Sequence, residues 1–295
     1  MYIYLDDSTL ASDASVVVAD LKVVLASSAA IGLELNPAKC ELLVMDEPDS
    51  DAVAEIARLL PGIKFLEPCD AELLGAPLTD EALPAALESK VAQIGRLAER
   101  LPLLKSHAAL FTLKNCLSMP KMTYLLRCTP SWKAPTELAS FDAIMRNSLE
   151  SICNGTMDDQ AWAQASLPVA RGGLAIRSAQ QLSVPAFLAS IASTVDLVTA
   201  ILGSPHEDPD EQEALALWSS MTNESPIPTS HLQSDWDRPI LENLSATLLS
   251  NAKTSSDKAR ILASCRKEAG AWLNAFPSPN QTSVLFWMTA LSQSQ

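Results

Sequence analysis

Tyr2-Ile3-Tyr4-Leu5-Asp6-Asp7, with Thr9-Leu10-Ala11 behind it, is the stretch on which the reading of the fold turns. Four β-prone and apolar residues run into two acidic ones, so Tyr2–Leu5 reads as a strand ending at an acidic turn, and Thr9–Ala11 as the returning arm of a hairpin. Ser12 or Asp13 then caps a helix whose Val17, Leu21, Val24, Ser28 and Ile31 share one face. Gly32 ends it, because glycine readily takes the left-handed conformation of a helix C-terminus. Asn36-Pro37 makes a turn, and Cys40-Glu41-Leu42-Leu43-Val44-Met45 reads as a buried strand. Leu73-Leu74-Gly75-Ala76-Pro77-Leu78 follows as a short strand or turn. Hairpin, helix and strand in that order form a small N-terminal α+β part.

The remainder is helical in character, which makes the fold class mainly α. Ala, Leu and Ser dominate, only 5% of residues are aromatic and only nine are glycine, a composition that favours helices over a sheet-rich sandwich. The spacing predicts helices around Phe141–Met145, over Asp159–Ser166 and over Ser178–Leu202. Residues 203–233, rich in Pro, Asp, Glu and Ser, read as an acidic linker with a short helical insert at Ala214–Trp218. Beyond it lie two more helical stretches and the turn Phe276-Pro277-Ser278-Pro279. The expected segments are therefore 1–80, 81–133, 134–202, 203–233 and 234–295.

A net charge of −14 on 295 residues speaks against a generic nucleic-acid-binding protein, since phosphates reward clustered Lys and Arg. The charge is uneven, however. Residues 1–89 hold 4 basic and 17 acidic side chains, residues 90–133 hold 8 and 1, and residues 134–295 hold 9 and 17. Within the basic island, Lys90, Arg96, Arg100, Lys105, Lys114, Lys121, Arg127 and Lys133 interleave with Val91, Ile94, Leu97, Leu101, Leu110, Leu113 and Leu117 at helical spacing. Pro102 and Pro120 punctuate it into two helices and a short third one. Charge alone reads as ordinary helices with solvated cations.

Other features point to packing. Leu182–Leu202 is apolar, but Pro185, Asp196 and several hydroxyl residues interrupt it, so it reads as a buried helix and not a membrane span. Six scattered cysteines with no Cys-x-x-Cys pair read as reduced core thiols. His107, His206 and His231 read as surface or capping residues, and Trp236, Trp272 and Trp287 as core anchors. Arg171-Gly172-Gly173 lacks the Gly-Lys-Ser/Thr ending of a phosphate loop and reads as a turn before a helix. Met1 opens directly on the strand with no basic or long apolar leader, so the expectation is an intracellular protein of cytoplasm or nucleus, not secreted and not in a membrane.

Asp6 and Asp7 carry the chemistry. Two carboxylates at a tight turn can aim near one point, where they repel each other unless a hard divalent cation is held between them. Tyr4-Leu5-Asp6-Asp7 resembles the Tyr-x-Asp-Asp motif of reverse transcriptases, and Gly32-Leu33-Glu34-Leu35-Asn36-Pro37-Ala38-Lys39-Cys40 is similar to the Gly-Leu-x-Leu-Asn-x-x-Lys-Cys segment of the same palm domain. Leu73-Leu74-Gly75-Ala76-Pro77-Leu78 resembles the primer-grip element, usually Phe-Leu-Gly followed by a small residue and Pro. The basic helices stand where the thumb would. Leu167-Pro168 and Gly172-Gly173-Leu174-Ala175-Ile176-Arg177 look like a segment downstream of the thumb in non-LTR retrotransposon polymerases.

The resemblance implies an RNA-directed DNA polymerase fragment: the second half of a palm, a helical thumb and a helical extension. It implies that Asp6 and Asp7 hold two catalytic Mg2+ ions, that Tyr4 and Lys39 meet nucleotide and primer end, and that Leu73, Leu74 and Gly75 hold the primer strand. Lys90, Arg96, Arg100, Lys105, Lys114 and Lys121 would contact the backbone phosphates of an RNA template and DNA primer. In that family a further metal-binding aspartate and the fingers precede the Tyr-x-Asp-Asp turn, whereas three residues precede Tyr4 here, so the isolated chain is expected to be inactive. A sheet edge left open there would invite self-association. The alternative is a non-catalytic helical remnant that binds nucleic acid or protein through the 90–133 island.

Overall fold

Short β-prone stretches embedded in long alanine- and leucine-rich ones fold as mainly helix with a few small strands. The computed structural model describes residues 2–4, 7–45, 49–223 and 225–275, with backbone alone for Tyr2–Tyr4 and Asp7. The chain divides into two units, Met1–Ala82 and Leu83–Gln295.

In the first unit, β1 (Tyr2–Tyr4) and β2 (Asp7–Thr9) form an antiparallel hairpin with Tyr2 opposite Thr9 and Tyr4 opposite Asp7. The return arm is thus Asp7–Thr9, two residues earlier than Thr9–Ala11. Helix α1 (Ala14–Ala30) follows; Asp13 makes no side-chain cap, and its main-chain carbonyl accepts from Val16 and Val17 N–H instead. Of the expected apolar face, Leu21 is buried and Val17, Val24 and Ser28 half-buried, while Ile31 lies past the last turn and is exposed. Gly32 adopts φ +78° as expected. Asn36 Oδ1 accepts from Ala38 N–H at 3.1 Å and sets the 3-10 turn Pro37–Lys39.

Next come β3 (Glu41–Leu43), α2 (Ser50–Leu59) and β4 (Lys64–Leu66), with β4 parallel to β3 and Leu42 opposite Phe65. Asp49 caps α2 by accepting from Asp51 and Ala52 N–H. Leu21, Ile56 and Leu60 form a small core against half-buried Val17, Leu35, Leu42 and Ile63. The strand expected to be buried is only half-buried, because a two-stranded sheet leaves both edges in solvent. The Glu55 carboxylate joins the helices: Arg58 grips both its oxygens at 2.8 Å and Lys22 of α1 approaches to 2.9 Å. Strands β5 (Glu72–Leu73) and β6 (Ala76–Pro77) pair antiparallel across Leu74 (φ 52°) and Gly75 (φ 78°), two left-handed residues in the manner of a type I′ turn.

The second unit is built from α3 (Leu83–Ala98), α4 (Ser106–Thr112), α5 (Met119–Cys128), α6 (Pro135–Cys153), α7 (Asp159–Ser166), α8 (Ala179–Leu202), α9 (Pro209–Met221), α10 (Gln233–Ser250) and α11 (Ser255–Ser264). Leu83, Leu87, Val91, Ile94 and Ala98 make one buried stripe along α3, which meets Leu138, Phe141, Met145 and Leu149 of α6 in the main core. A second cluster joins Val184, Phe187 and Leu188 of α8 to Trp218 of α9 and Trp236 and Ile240 of α10.

Several expectations are corrected here. The presumed linker carries α9, whose Trp218 is fully buried and donates its Nε1–H to the Trp236 carbonyl at 2.8 Å; a linker has no such anchor. Helix α8 is buried only along residues 179–189, and Val195, Leu197, Ile201 and Leu202 face solvent. It is the one helix among the described residues long and apolar enough to cross a membrane by length and composition. None of the six free cysteines is fully buried, and Cys69, Cys116, Cys128 and Cys265 are exposed, so they are not core thiols. His107 is buried in α4, not at the surface. Trp236 is a core anchor and Trp272 packs half-buried against the main core; Trp287 and the turn Phe276–Pro279 lie outside the described residues.

Candidate nucleic-acid interface

Tyr4 stands opposite Asp7, with Leu5 and Asp6 between them in sequence. Asp6 lies outside the described residues, and the backbone alone of Tyr4 and Asp7 is described. Among the described residues no three His, Cys, Asp or Glu side chains gather as a metal-ligand set. Lys39 ends the Asn36-capped turn and is exposed. The Leu74-Gly75 turn projects Leu73 and Leu74, 39% and 48% exposed, which gives the unit a small apolar tip. Gly75 supplies the second left-handed residue that a side chain would strain.

In the second unit the basic island splits into open and occupied cations. The buried stripe of α3 leaves Arg96 on the diametrically opposite side, exposed, and Lys90 on a flank, half-buried. Arg100 follows the helix end, Lys105 immediately precedes α4, and Lys121 lies in the first turn of α5; all three are exposed. Lys90, Arg96, Arg100 and Lys121 have no hydrogen-bond or ion-pair partner among the described residues. Cations at the start of a helix are disfavoured by its dipole, so Lys121 contributes nothing to its own helix by charge.

Lys133, Arg127 and Lys114 are among those committed internally. Lys133 pairs with Asp210 at 2.6 Å, Arg127 donates to Gln233 Oε1 at 3.5 Å, and Lys114 donates to Asn274 Oδ1 at 2.6 Å and to the Leu273 carbonyl at 3.4 Å. Burial pushes the Lys114 ammonium below the usual lysine range. Lys114 therefore does not belong with the open phosphate-facing set that sequence reading assigned it to.

The segment 167–177 is explained by packing. Arg177 is held by Asp237 through two bonds of 2.6 and 2.7 Å, both side chains nearly buried. Next to it, Asp142 accepts from Ser178 Oγ–H at 2.5 Å and from Ala179 N–H at 2.7 Å, capping α8 from α6. Burial raises the Asp142 pKa, and the hydrogen bonds from Ser178 and from the Ala179 and Gln180 backbone hold it back. Sequence reading missed both pairs, whose partners lie 60 and 36 residues apart. No protein-family model, curated protein or solved structure matches the chain.

Proposed function

We propose that the chain is the C-terminal part of an RNA-directed DNA polymerase of non-LTR retrotransposon type, in which a partial palm is followed by helices that carry the template–primer backbone. The observation that supports this most is the antiparallel hairpin that pairs Tyr4 with Asp7 across Leu5-Asp6. Three further elements of the kind the motifs call for follow in order: the capped turn ending at Lys39, the Leu74-Gly75 hairpin, and the helices bearing open cations.

On this reading Asp6 and Asp7, hard oxygen donors of the type Mg2+ takes, hold the metal. Mg2+ would lower the primer hydroxyl's pKa and offset charge on the triphosphate. Tyr4 lines the primer end, Lys39 neutralises the incoming phosphates, and Leu73, Leu74 and Gly75 support the primer strand. Lys90, Arg96, Arg100, Lys105 and Lys121 track the backbone without reading bases. The protein is then intracellular, in cytoplasm or nucleus, and self-association through the open edges of its small sheets is expected. Residues 1–295 assayed by themselves do not extend a primer, because the further metal-binding aspartate and the fingers belong to sequence before the turn. Mg2+-dependent, Asp6-dependent extension by this polypeptide would overturn that.

The second reading, a non-catalytic nucleic-acid- or protein-binding remnant, is favoured by the open cations alone, since they need no metal centre to act. Binding of an RNA–DNA primer–template hybrid by the full chain at low salt, followed by anisotropy, tests the part the two readings share. Binding that survives Asp6→Asn and is weakened on replacing Lys90, Arg96, Arg100 and Lys121 by Ala is expected. No binding at low salt contradicts both.

A further inference from the structure

Lys114 is the cation that breaks the pattern of the basic helices. It lies in the π-helical turn Leu113–Leu117, and the two acceptors around its ammonium are neutral oxygens. Both come from the 3-10 turn Ala271–Asn274, some 160 residues later in the chain. That turn is seated by three further contacts. Leu273 is 5% exposed in the same core as α3 to α6. The Trp272 ring stands 6.2 Å from the ring of His107, whose Nε2 is buried with no hydrogen-bond partner. Gly270 approaches Val169 so closely that a Cβ would lie 2.2 Å from Val169 Cγ1.

A side-chain amide and a main-chain carbonyl are weaker acceptors for an ammonium than an anionic oxygen is. The partial desolvation of Lys114 enlarges that difference, because charge–charge attraction strengthens as the local dielectric falls. Asn274 itself is exposed, so an incoming phosphate can reach the pair. We infer that the turn Ala271–Asn274 is a displaceable cover on the basic helices: it occupies Lys114 in the free protein and yields it to a backbone phosphate when nucleic acid lies along α4 and α5. This rests on the reading of those helices as a nucleic-acid contact. The cover makes part of the binding surface conditional, so affinity depends on a segment remote in sequence.

The test uses the full chain and a labelled RNA–DNA hybrid. Asn274→Ala removes the better acceptor without changing charge and is expected to tighten binding about 3- to 10-fold, the net scale of one ordinary intramolecular hydrogen bond. In a Lys114→Gln background the same substitution is silent. Amide exchange of residues 271–275 rises when wild-type protein binds the hybrid, a readout that does not depend on the affinity of any variant. If wild type binds but Asn274→Ala leaves affinity unchanged and exchange at 271–275 does not move, the cover is overturned and the basic-helix reading stands. If neither wild type nor Asn274→Ala binds at low salt, both fall together.

Discussion

Gly173→Ala tests the close main-chain approach that packs the segment 167–177. A Cβ at Gly173 would stand 2.0 Å from the Leu167 carbonyl oxygen, 2.6 Å from the Leu167 carbonyl carbon and 2.6 Å from the Gln164 carbonyl oxygen. These are main-chain atoms, so no side chain can swing aside, and the two strands of chain must part by more than an ångström. The bonds that hold them together are Leu174 N–H to the Ala165 carbonyl at 3.0 Å, Ala175 N–H to the Leu167 carbonyl at 2.9 Å and Gly173 N–H to the Pro168 carbonyl at 3.2 Å. Losing two or three such bonds at about 1 kcal/mol each, plus repacking around buried Leu167, predicts destabilisation of about 3–5 kcal/mol. Gly155→Ala is the control: its Cβ would meet nothing nearer than the Cys153 carbonyl oxygen at 4.0 Å, so the change is neutral or stabilising by about 0.4–1 kcal/mol. Urea unfolding followed by tryptophan fluorescence reads both. A Gly173→Ala midpoint within error of Gly155→Ala would refute the close-approach argument.

Asp237→Ala leaves the Arg177 guanidinium buried and unpaired and is expected to cost about 3–5 kcal/mol, whereas Arg177→Met with Asp237→Leu costs far less; equal losses in denaturant midpoint would contradict this. The two units respond oppositely to acid. Glu55, held by Arg58 and Lys22 at a pKa of about 2 against an ordinary 4.5, supports α1–α2 above pH 4.5 and loses that contribution as pH falls towards 2. Asp142, whose pKa is raised, contributes most below its ordinary 3.8 and loses that contribution as pH rises through its folded value. Pepsin digestion stepped down in pH should therefore cut within α1–α2 before the α6–α8 junction, and the reverse order counts against these assignments. At Leu74, φ 52° strains a leucine, so Leu74→Asn raises the thermal midpoint by the equivalent of about 0.5–1 kcal/mol while Leu74→Val lowers it; a fall with Asn would rule out the type I′ turn.

Helices whose apolar residues recur at helical spacing were legible from sequence: Asp159–Ser166 is matched to the residue, and Ser178 caps the helix expected to begin there. Helix α2 and strand β4 were not read, because Ala52, Ile56 and Leu60 repeat every fourth residue amid acidic residues and alanines that dilute the pattern. Of α9 only the insert Ala214–Trp218 was legible, inside a segment whose composition reads as a linker; its full extent, Pro209–Met221, and its anchoring by buried Ala214 and Trp218 were not. At the candidate interface, the split between open and occupied cations was not readable at all. Nothing around Lys114 distinguishes it from Lys121; what does is Asn274, placed there by a turn that only tertiary packing brings back. Likewise Arg177 carries no local mark of its pairing with Asp237, so a residue that looked like part of a motif is one half of a buried ion pair.

The central claim is that a chain with a net charge of −14 carries a nucleic-acid contact confined to α3–α5. Its most direct test is the salt dependence of hybrid binding by wild type and by the variant with Lys90, Arg96, Arg100 and Lys121 replaced by Ala. Each cation engaged on a phosphate adds about 0.7–0.9 to the slope of log affinity against log salt, so the variant's slope should be shallower by roughly 3. Identical slopes, or no binding by wild type at low salt, would contradict the account.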